Sequence, residues 1–251
     1  HYLSLFEAKR DLSDDFLVRQ LYYPFRVWSE RVTKTVKPVF LIFSNGMFNL
    51  YQYQFEDPQN YNSLILVKQR NYVIATEICL ADIENLLRTV PLVQEPDISF
   101  PQADRMSRIV NLIELLNEKP MTKQVITSEY AFDERQTNYY TDAGRYLGLI
   151  DKTHDEDGNI LFQLSACGHR IMGLEYKERQ LALVTQILMH KVFNETLRLH
   201  LQCGEMPDKQ TIIQIMKRSN LYRVEADSTY LRRSSTVAVS YTHLRAHETD
   251  S

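Results

Sequence analysis

The segment that decides the fold of the first part of the chain is residues 3–10, which read LSLFEAKR. Its apolar residues predict a buried β-strand that carries Glu7 and Lys9 two positions apart. Because side chains two positions apart in a strand point to the same face, Glu7 and Lys9 share one side, and Phe6 and Ala8 face the other. Burying a carboxylate and an ammonium at a strand end costs free energy unless both have partners, so this pair is a candidate site.

The residues that follow predict a helix beginning at Ser13, a good N-cap residue, with two aspartates in its first turn. Pro24 predicts that this helix ends or kinks near Tyr22 and then resumes. Gln20 lies on the side of the helix from which an amide reaches toward the Glu7–Lys9 face. The alternative is that its amide is bonded to a nearby carbonyl and has no role in a site.

Two segments together, LFEAKR at residues 5–10 and RQLYYP at residues 19–24, resemble the PD-(D/E)XK nuclease superfamily. More narrowly, they resemble type II restriction-endonuclease-like proteins that end in a winged helix. The resemblance implies Mg²⁺-dependent hydrolysis of DNA phosphodiester bonds. It implies that Glu7 is a metal ligand, that Lys9 orients the water and stabilises the charge on phosphorus, and that Gln20 assists catalysis. The acid-x-lysine pattern is short, and a second match at residues 175–177 is interpreted as solvated helix surface.

The family motif also includes an aspartate on a preceding hairpin strand, and we expect that residue to lie upstream of His1. We therefore interpret the sequence as an N-terminally truncated metagenomic fragment that is inactive by itself. Residues 239–251, which read VSYTHLRAHETDS, resemble one reading frame of a sequencing adapter. We expect this tail to be an artefact, so His243 and His247 are not interpreted as metal ligands.

Three more apolar segments predict strands at residues 37–43, 47–55 and 63–67. Asn45 and Gly46 predict a hairpin turn between the first two of them. A strand, a helix and three further strands suit the core of a small nuclease domain. We therefore predict an α/β, restriction-endonuclease-like mixed sheet over residues 1–90.

Three prolines, at positions 91, 96 and 101, predict a linker over residues 91–103. Residues 104–174 then contain three helical patterns followed by a two-strand hairpin around Asp157 and Gly158, which is the winged-helix order. The third of these helices is the recognition candidate by its position. Residues 175–238 predict a helical extension with long apolar stripes.

The charge of the chain leaves the role of the predicted winged helix open. Residues 104–175 hold 8 basic and 12 acidic side chains, whereas residues 176–238 hold 10 basic and 6 acidic ones. A domain that grips phosphates normally has a surplus of Lys and Arg, so DNA reading and a structural or dimerising role remain alternatives. The candidate DNA-binding residues are Gln136, Asn138, Thr141, Arg145, Arg232 and Arg233. For the two arginines, the competing interpretation is a capped turn into another helix.

The composition excludes several classes of protein. The chain has 251 residues, of which 44% are hydrophobic, and no apolar run is long enough for a membrane span, so no membrane partner is expected. The three cysteines are far apart, which fits neither a disulfide framework nor a zinc site and favours the cytoplasm. A glycine-rich phosphate loop, a Gly-x-Ser-x-Gly elbow and a His-Glu-x-x-His motif are all missing from the sequence. His190, which lies on an apolar stripe, is interpreted as a satisfied interior histidine.

The leading hypothesis is a magnesium-dependent endonuclease of the restriction-modification type that cuts double-stranded DNA, with a homodimer as a candidate assembly. The alternative is a non-catalytic winged-helix DNA-binding regulator whose N-terminal domain is a degenerate relative of a nuclease. The upstream aspartate of the family motif discriminates between the two, because only the nuclease needs it.

Overall fold

The structure of the chain, a computed structural model, describes residues 2–9, 18–44, 46–73, 78–102, 105–129 and 134–245, without the side chains of 129, 134 and 238–245. The chain divides into two compact units, residues 1–74 and residues 75–251. The predicted mixed α/β class is confirmed, because a four-stranded mixed sheet is combined with several helices.

The first unit contains a sheet in which the strand order follows the order of the sequence. Its strands are β1 (Tyr2–Lys9), β2 (Thr35–Ser44), β3 (Met47–Phe55) and β4 (Leu64–Val73). β1 runs parallel to β2, whereas β2, β3 and β4 are antiparallel neighbours. Gly46 has a φ of 72°, a left-handed conformation that glycine adopts without strain, and this allows the predicted hairpin between β2 and β3.

Helix α1 (Val18–Arg31) connects the two parallel strands and covers one face of the sheet. Leu21 and Phe25 are buried there against apolar side chains of β2 and β3. The predicted end of the helix near Tyr22 is wrong, because the helix continues through Pro24 to Arg31. The alternative, a kink near Tyr22, stays a prediction. Burial of apolar residues on both sides of Pro24 offsets the loss of one backbone hydrogen bond. The predicted helix start at Ser13 lies outside the described residues.

Strand β1 is less buried than the sequence predicts. Leu3, Leu5, Glu7 and Lys9 are half-buried on the face that α1 covers, and the alternate residues are exposed. Within the described residues β1 pairs only with β2, so it forms an edge of the sheet. The expectation of a buried strand is corrected to an edge strand with one covered face.

The second unit is mainly helical and contains one small sheet. Three short strands form this sheet in the order β5-β7-β6, with antiparallel neighbours. The predicted hairpin is confirmed as β6 and β7, whereas β5 was not predicted. The elements are α2 (Leu80–Thr89), α3 (Met106–Glu118), β5 (Met121–Thr122), α4 (Lys123–Glu129), α5 (Glu134–Tyr146), β6 (Ile150–His154), β7 (Ile160–Leu164), α6 (Ala166–Met172), α7 (Tyr176–Leu188), α8 (Lys191–Cys203), α9 (Lys209–Lys217) and α10 (Asp227–Arg245).

A single hydrophobic core extends through the second unit. It contains residues from both sides of position 175, such as Leu112, Leu149, Leu188 and Ile215. The segment that was predicted as a helical extension, residues 175–238, therefore shares its core with residues 105–174 instead of forming a separate layer.

Residues 91–102 are packed into the second unit. The Phe100 side chain is only 1% exposed, and its ring lies 5.4 Å from that of Phe193 and 5.5 Å from that of Tyr146, measured between centroids. The backbone N–H of Val93 donates to the carbonyl of Met189 at 3.0 Å. The predicted linker is therefore wrong for these residues, because proline prevents regular helix and strand but does not prevent burial of the aromatic ring beside it.

Helix α2 also belongs to the second unit, so the predicted first domain of residues 1–90 is too long. Leu87 is part of the second unit's core, and Asp82 pairs with Lys177 of α7 at 2.8 Å. The hydrogen bond from Lys177, together with the amide of Cys79, lowers the pKa of Asp82 to about 2. The second acid-x-lysine match in the sequence, residues 175–177, thus contributes a lysine to a bridge between two helices.

Helix α10 continues through seven residues of the segment that resembles an adapter, since its backbone is helical to Arg245. Whether Tyr241 and Leu244 have packing partners lies outside the described residues. Although α10 has 19 residues, neither it nor any other helix in the described ranges is long and apolar enough to cross a membrane.

The packing of Phe100 gives a first prediction. Phe100→Ala should lower the free energy of unfolding by about 3 to 5 kcal/mol, because it removes a buried ring and leaves a cavity. Urea denaturation followed by far-UV circular dichroism measures this change. Leu92→Ala is the matched control from the same stretch, since Leu92 is exposed and its loss should cost less than about 0.5 kcal/mol. Equal small effects would show that residues 91–102 act as a linker after all.

Candidate functional site

Glu7 and Lys9 lie on the covered face of β1, two positions apart. Glu7 is in register with Phe40 of β2, and Lys9 is in register with Ile42. Both of these β2 residues are buried in the core beneath α1. Leu3 and Leu5, earlier on the same face, pack against that core and fix the face to which the two charged side chains point. The structure therefore places the acid and the lysine on one face, as the sequence predicts.

Gln20 is positioned by the helix that covers this face. Its side-chain Oε1 is buried and has no hydrogen-bond partner among the residues that the structure describes. Pro24 has no N–H to donate to the carbonyl of Gln20 four residues earlier, so the usual helical donor for that oxygen is also missing. Leaving a buried acceptor unpaired costs about 1 to 3 kcal/mol. The simple alternative, an amide bonded to a nearby carbonyl, does not account for Oε1, which is itself an acceptor.

The chemistry of these donors fits part of a magnesium site. Glu7 carries a carboxylate and Gln20 an unpartnered amide oxygen, and Mg²⁺ prefers oxygen ligands of this kind. Within the described ranges, no group of three or more His, Cys, Asp or Glu side chains is arranged to hold a metal ion. Among the three candidate residues, Glu7 carries the carboxylate, and water, substrate phosphate and the upstream aspartate of the family motif would supply further ligands of a Mg²⁺ ion.

The predicted DNA-binding residues of α5 differ in their surroundings. Gln136 and Asn138 are exposed, as predicted for a surface that reads DNA. Arg145 is half-buried and its guanidinium pairs with Asp142 of the same helix at 3.0 Å. Because Arg145 already has a carboxylate partner, it adds little positive potential to this face of the helix.

Thr141 does not lie on the solvent face, and its assignment as a DNA-binding residue is wrong. Its side chain is 1% exposed, and its hydroxyl donates to the carbonyl of Thr137 at 2.9 Å. A threonine in a helix can satisfy its hydroxyl in this way on the carbonyl four residues earlier, so it can face a core without an unpaired polar atom.

The two adjacent arginines of α10 lie in opposite environments. Arg232 is exposed, whereas Arg233 is 5% exposed and its Nε and Nη1 atoms have no acceptor. Burial lowers the pKa of the Arg233 guanidinium, and the neighbouring charge of Arg232 lowers it further. The predicted pair is thus one surface cation and one interior cation, and they cannot clamp one phosphate from their present positions.

A buried polar cluster around Glu95 was not predicted as a site. Its carboxylate accepts hydrogen bonds from the hydroxyl of Tyr146 and from the backbone N–H of Lys191, and it lies 3.1 Å from Nδ1 of His190. Burial and the neighbouring carboxylate raise the pKa of Tyr146, which keeps its phenol protonated. The interpretation of His190 as a satisfied interior histidine is confirmed. No spacing in the sequence links Glu95 to partners 51 and 95 residues away.

Comparison with known families assigns most of the second unit to one family. A family described as a domain of unknown function, DUF7226, matches residues 108–241, which is more than half of the chain. The chain belongs to the DUF7226 family. A second family, also described as a domain of unknown function (DUF6997), matches residues 1–73. No curated protein and no solved structure matches the chain. The two matched ranges fall within the two compact units, so the DUF7226 region and the candidate site on β1 belong to different units.

The unpartnered oxygen of Gln20 gives a second prediction. Gln20→Leu should raise the free energy of unfolding by about 1 kcal/mol in metal-free buffer, because it removes an unpaired buried acceptor with little change in volume. Urea denaturation measures the change. Gln69→Leu on β4, an exposed position, is the control and should change stability by less than about 0.5 kcal/mol. A loss of stability in Gln20→Leu would mean that Oε1 has a partner in solution.

Proposed function

We propose that this DUF7226 protein is a Mg²⁺-dependent DNA endonuclease of the PD-(D/E)XK restriction type. The observation that carries the proposal is the placement of Glu7 and Lys9 at alternate positions on the face of β1 that α1 covers. That helix also carries Gln20, whose side-chain oxygen is buried and unpartnered. An acid, a lysine and an amide oxygen on one strand and its covering helix are the groups of the family motif that this sequence carries, and the upstream aspartate would complete it.

The order of elements in the first unit supports this proposal. Strands β1 and β2 are parallel neighbours with α1 between them in the chain, and β3 and β4 continue the sheet as antiparallel neighbours. The candidate residues Glu7 and Lys9 lie at the end of β1. Parallel β1 and β2 require a crossover connection, and α1 supplies it. The same crossover brings Gln20 to the face of the sheet that bears Glu7.

Each residue has a distinct role in the proposed reaction. Glu7 would hold the metal ion through its carboxylate, and Gln20 would offer an oxygen ligand or hold a water beside it. Bound Mg²⁺ would supply a Lewis acid and lower the pKa of an attacking water. Lys9 would orient that water and stabilise the negative charge that develops on the scissile phosphate.

We propose that the second unit contains a winged-helix DNA-binding domain. The order α3, β5, α4, α5, β6, β7, with a sheet of order β5-β7-β6, supports this assignment. In that arrangement α5 would be the recognition helix, with the exposed Gln136 and Asn138 as its candidate base contacts. Arg145 would act on the orientation of Asp142 more than on DNA, because the two side chains are paired.

Substitution of Lys9 tests its proposed catalytic role. In the full-length protein, including any residues that precede His1, Lys9→Ala should reduce Mg²⁺-dependent cleavage of plasmid DNA by at least about a hundredfold. The fold should be retained, because Lys9 is a half-buried residue of an edge strand. Lys37→Ala is the matched control, since Lys37 lies on the opposite face of the same sheet with its ammonium 3.4 Å from the ring centroid of Tyr2. Gel electrophoresis of the cleaved plasmid measures both variants.

A second candidate function is a DNA-binding regulator that does not cut. It is favoured because the described residues contain no cluster of three or more His, Cys, Asp or Glu side chains that could hold a metal ion. If the full-length protein binds duplex DNA without cutting it in Mg²⁺ or Mn²⁺, and Glu7→Gln leaves that binding unchanged, the nuclease proposal fails and the regulator replaces it.

A further inference from the structure

Arg233 of α10 is a buried cation with no acceptor for two of its nitrogen atoms. Its side chain is 5% exposed, and neither Nε nor Nη1 has a hydrogen-bond partner. Guanidinium remains protonated in proteins, so the positive charge stays in the interior even though burial lowers its pKa. A buried charge is destabilising unless a counter-charge and hydrogen-bond acceptors accompany it. Arg233 therefore lacks an anionic partner among the described residues.

The surroundings of Arg233 are basic. Tyr139 of α5 interacts electrostatically with Arg233, and its hydroxyl accepts a hydrogen bond from Nε of Arg135 at 2.5 Å. The guanidinium of Arg135 also lies 5.5 Å from the centroid of the Tyr139 ring. In the part of the chain that the structure describes, the ion pairs include none of Arg135, Arg232 and Arg233. Neither Arg135 nor Arg233, the two arginines that interact with Tyr139, is therefore paired with a carboxylate in that part of the chain.

A second buried polar side chain without partners lies on α3, the helix that packs against both α5 and α10. Asn111 is almost completely buried, and neither its Oδ1 nor its Nδ2 has a hydrogen-bond partner. Native interiors rarely leave such groups unpaired, and each one calls for an explanation such as a missing ion or ligand. Two such residues, one on α10 and one on a helix that packs against it, point to this part of the second unit as a binding region.

We propose that Arg233 is the charged anchor of a site for a phosphate group. A phosphate supplies both the negative charge and the acceptors that the Arg233 guanidinium lacks among the described residues. Because Nε and Nη1 of Arg233 lie below the surface, the side chain turns outward or the helices separate when the anion enters. The phosphate comes either from a nucleic-acid backbone or from a small phosphate-bearing molecule. The site lies in the second unit and its test measures binding, so the outcome of that test does not depend on the proposed nuclease activity.

The experiment compares the full-length protein with Arg233→Met and Arg232→Met, which remove the same charge from adjacent positions of α10. Thermal unfolding is measured in sodium chloride and in inorganic phosphate at equal ionic strength. Phosphate should raise the melting temperature of the unmodified protein and of Arg232→Met, because a ligand that binds only the folded state stabilises it. The rise should be lost in Arg233→Met. In chloride alone, Arg233→Met should melt higher than the unmodified protein, because an apolar side chain replaces an unpaired buried charge.

A second measurement identifies the source of the phosphate. Fluorescence anisotropy with labelled duplex DNA should show binding weaker by about tenfold or more in Arg233→Met than in Arg232→Met, if a backbone phosphate occupies the site. Loss of phosphate stabilisation with unchanged DNA binding would instead assign the site to a small phosphate-bearing molecule. Either result supports the site.

The proposal fails if phosphate stabilises none of the proteins, or if it stabilises Arg233→Met as much as the unmodified protein. It also fails if Arg232→Met and Arg233→Met lose the effect equally, because the effect would then reflect surface charge alone. If Arg233→Met does not fold, Arg233→Lys keeps the charge with fewer donors and should reduce the phosphate effect. An undiminished effect in Arg233→Lys would also overturn the proposal.

Discussion

The hydrogen bonds to the Glu95 carboxylate are the constraint on which the arrangement of the second unit depends. A carboxylate buried in protein must be matched by donors, and here they come from the end of α5 and from the start of α8. The N-terminal end of α8 also favours a negative charge through its helix dipole. Glu95 therefore fixes the stretch that precedes α3 to two helices far along the chain. This explains why Phe100, five residues later, is enclosed by aromatic rings from the same two regions.

The requirement that a buried polar group has hydrogen-bond partners separates structural polar groups from candidate binding groups elsewhere in the chain. Both carboxylate oxygens of Glu95 have partners within the chain, so the cluster stabilises the fold. Gln20, Asn111 and Arg233 are the opposite case, because each has a buried polar atom without a partner among the described residues. Such atoms lower stability unless something else binds to them. Unsatisfied atoms therefore locate the proposed phosphate site, and at the site on β1 the unsatisfied Gln20 oxygen adds to the placement of Glu7 and Lys9.

The sequence was sufficient for elements whose apolar residues repeat regularly. The β2–β3 hairpin, helix α3 and the β6–β7 hairpin all form where periodicity and turn residues predict them. The sequence-based predictions fail where tertiary contacts determine the local structure. Helix α1 passes through Pro24 because its flanking residues are buried, and Phe100 is buried although prolines surround it. Thr141 faces the core because a backbone carbonyl satisfies its hydroxyl. None of these three outcomes leaves a periodic pattern in the sequence.

For the candidate site on β1, too, the sequence predicts the local geometry, and tertiary contacts determine the rest. Alternation in a strand is a local property, so the sequence is enough to place Glu7 and Lys9 on one face. Which face α1 covers is a tertiary property, and it is decided by Leu3 and Leu5 packing against the core. Half-burial beneath a helix strengthens the interaction of these charges with a phosphate, since the effective dielectric constant there is lower than in water. A fully buried strand would exclude the substrate, and a fully exposed one would leave the charges screened. In the proposed nuclease, an edge strand with one covered face would combine substrate access with the stronger electrostatics that phosphoryl chemistry needs.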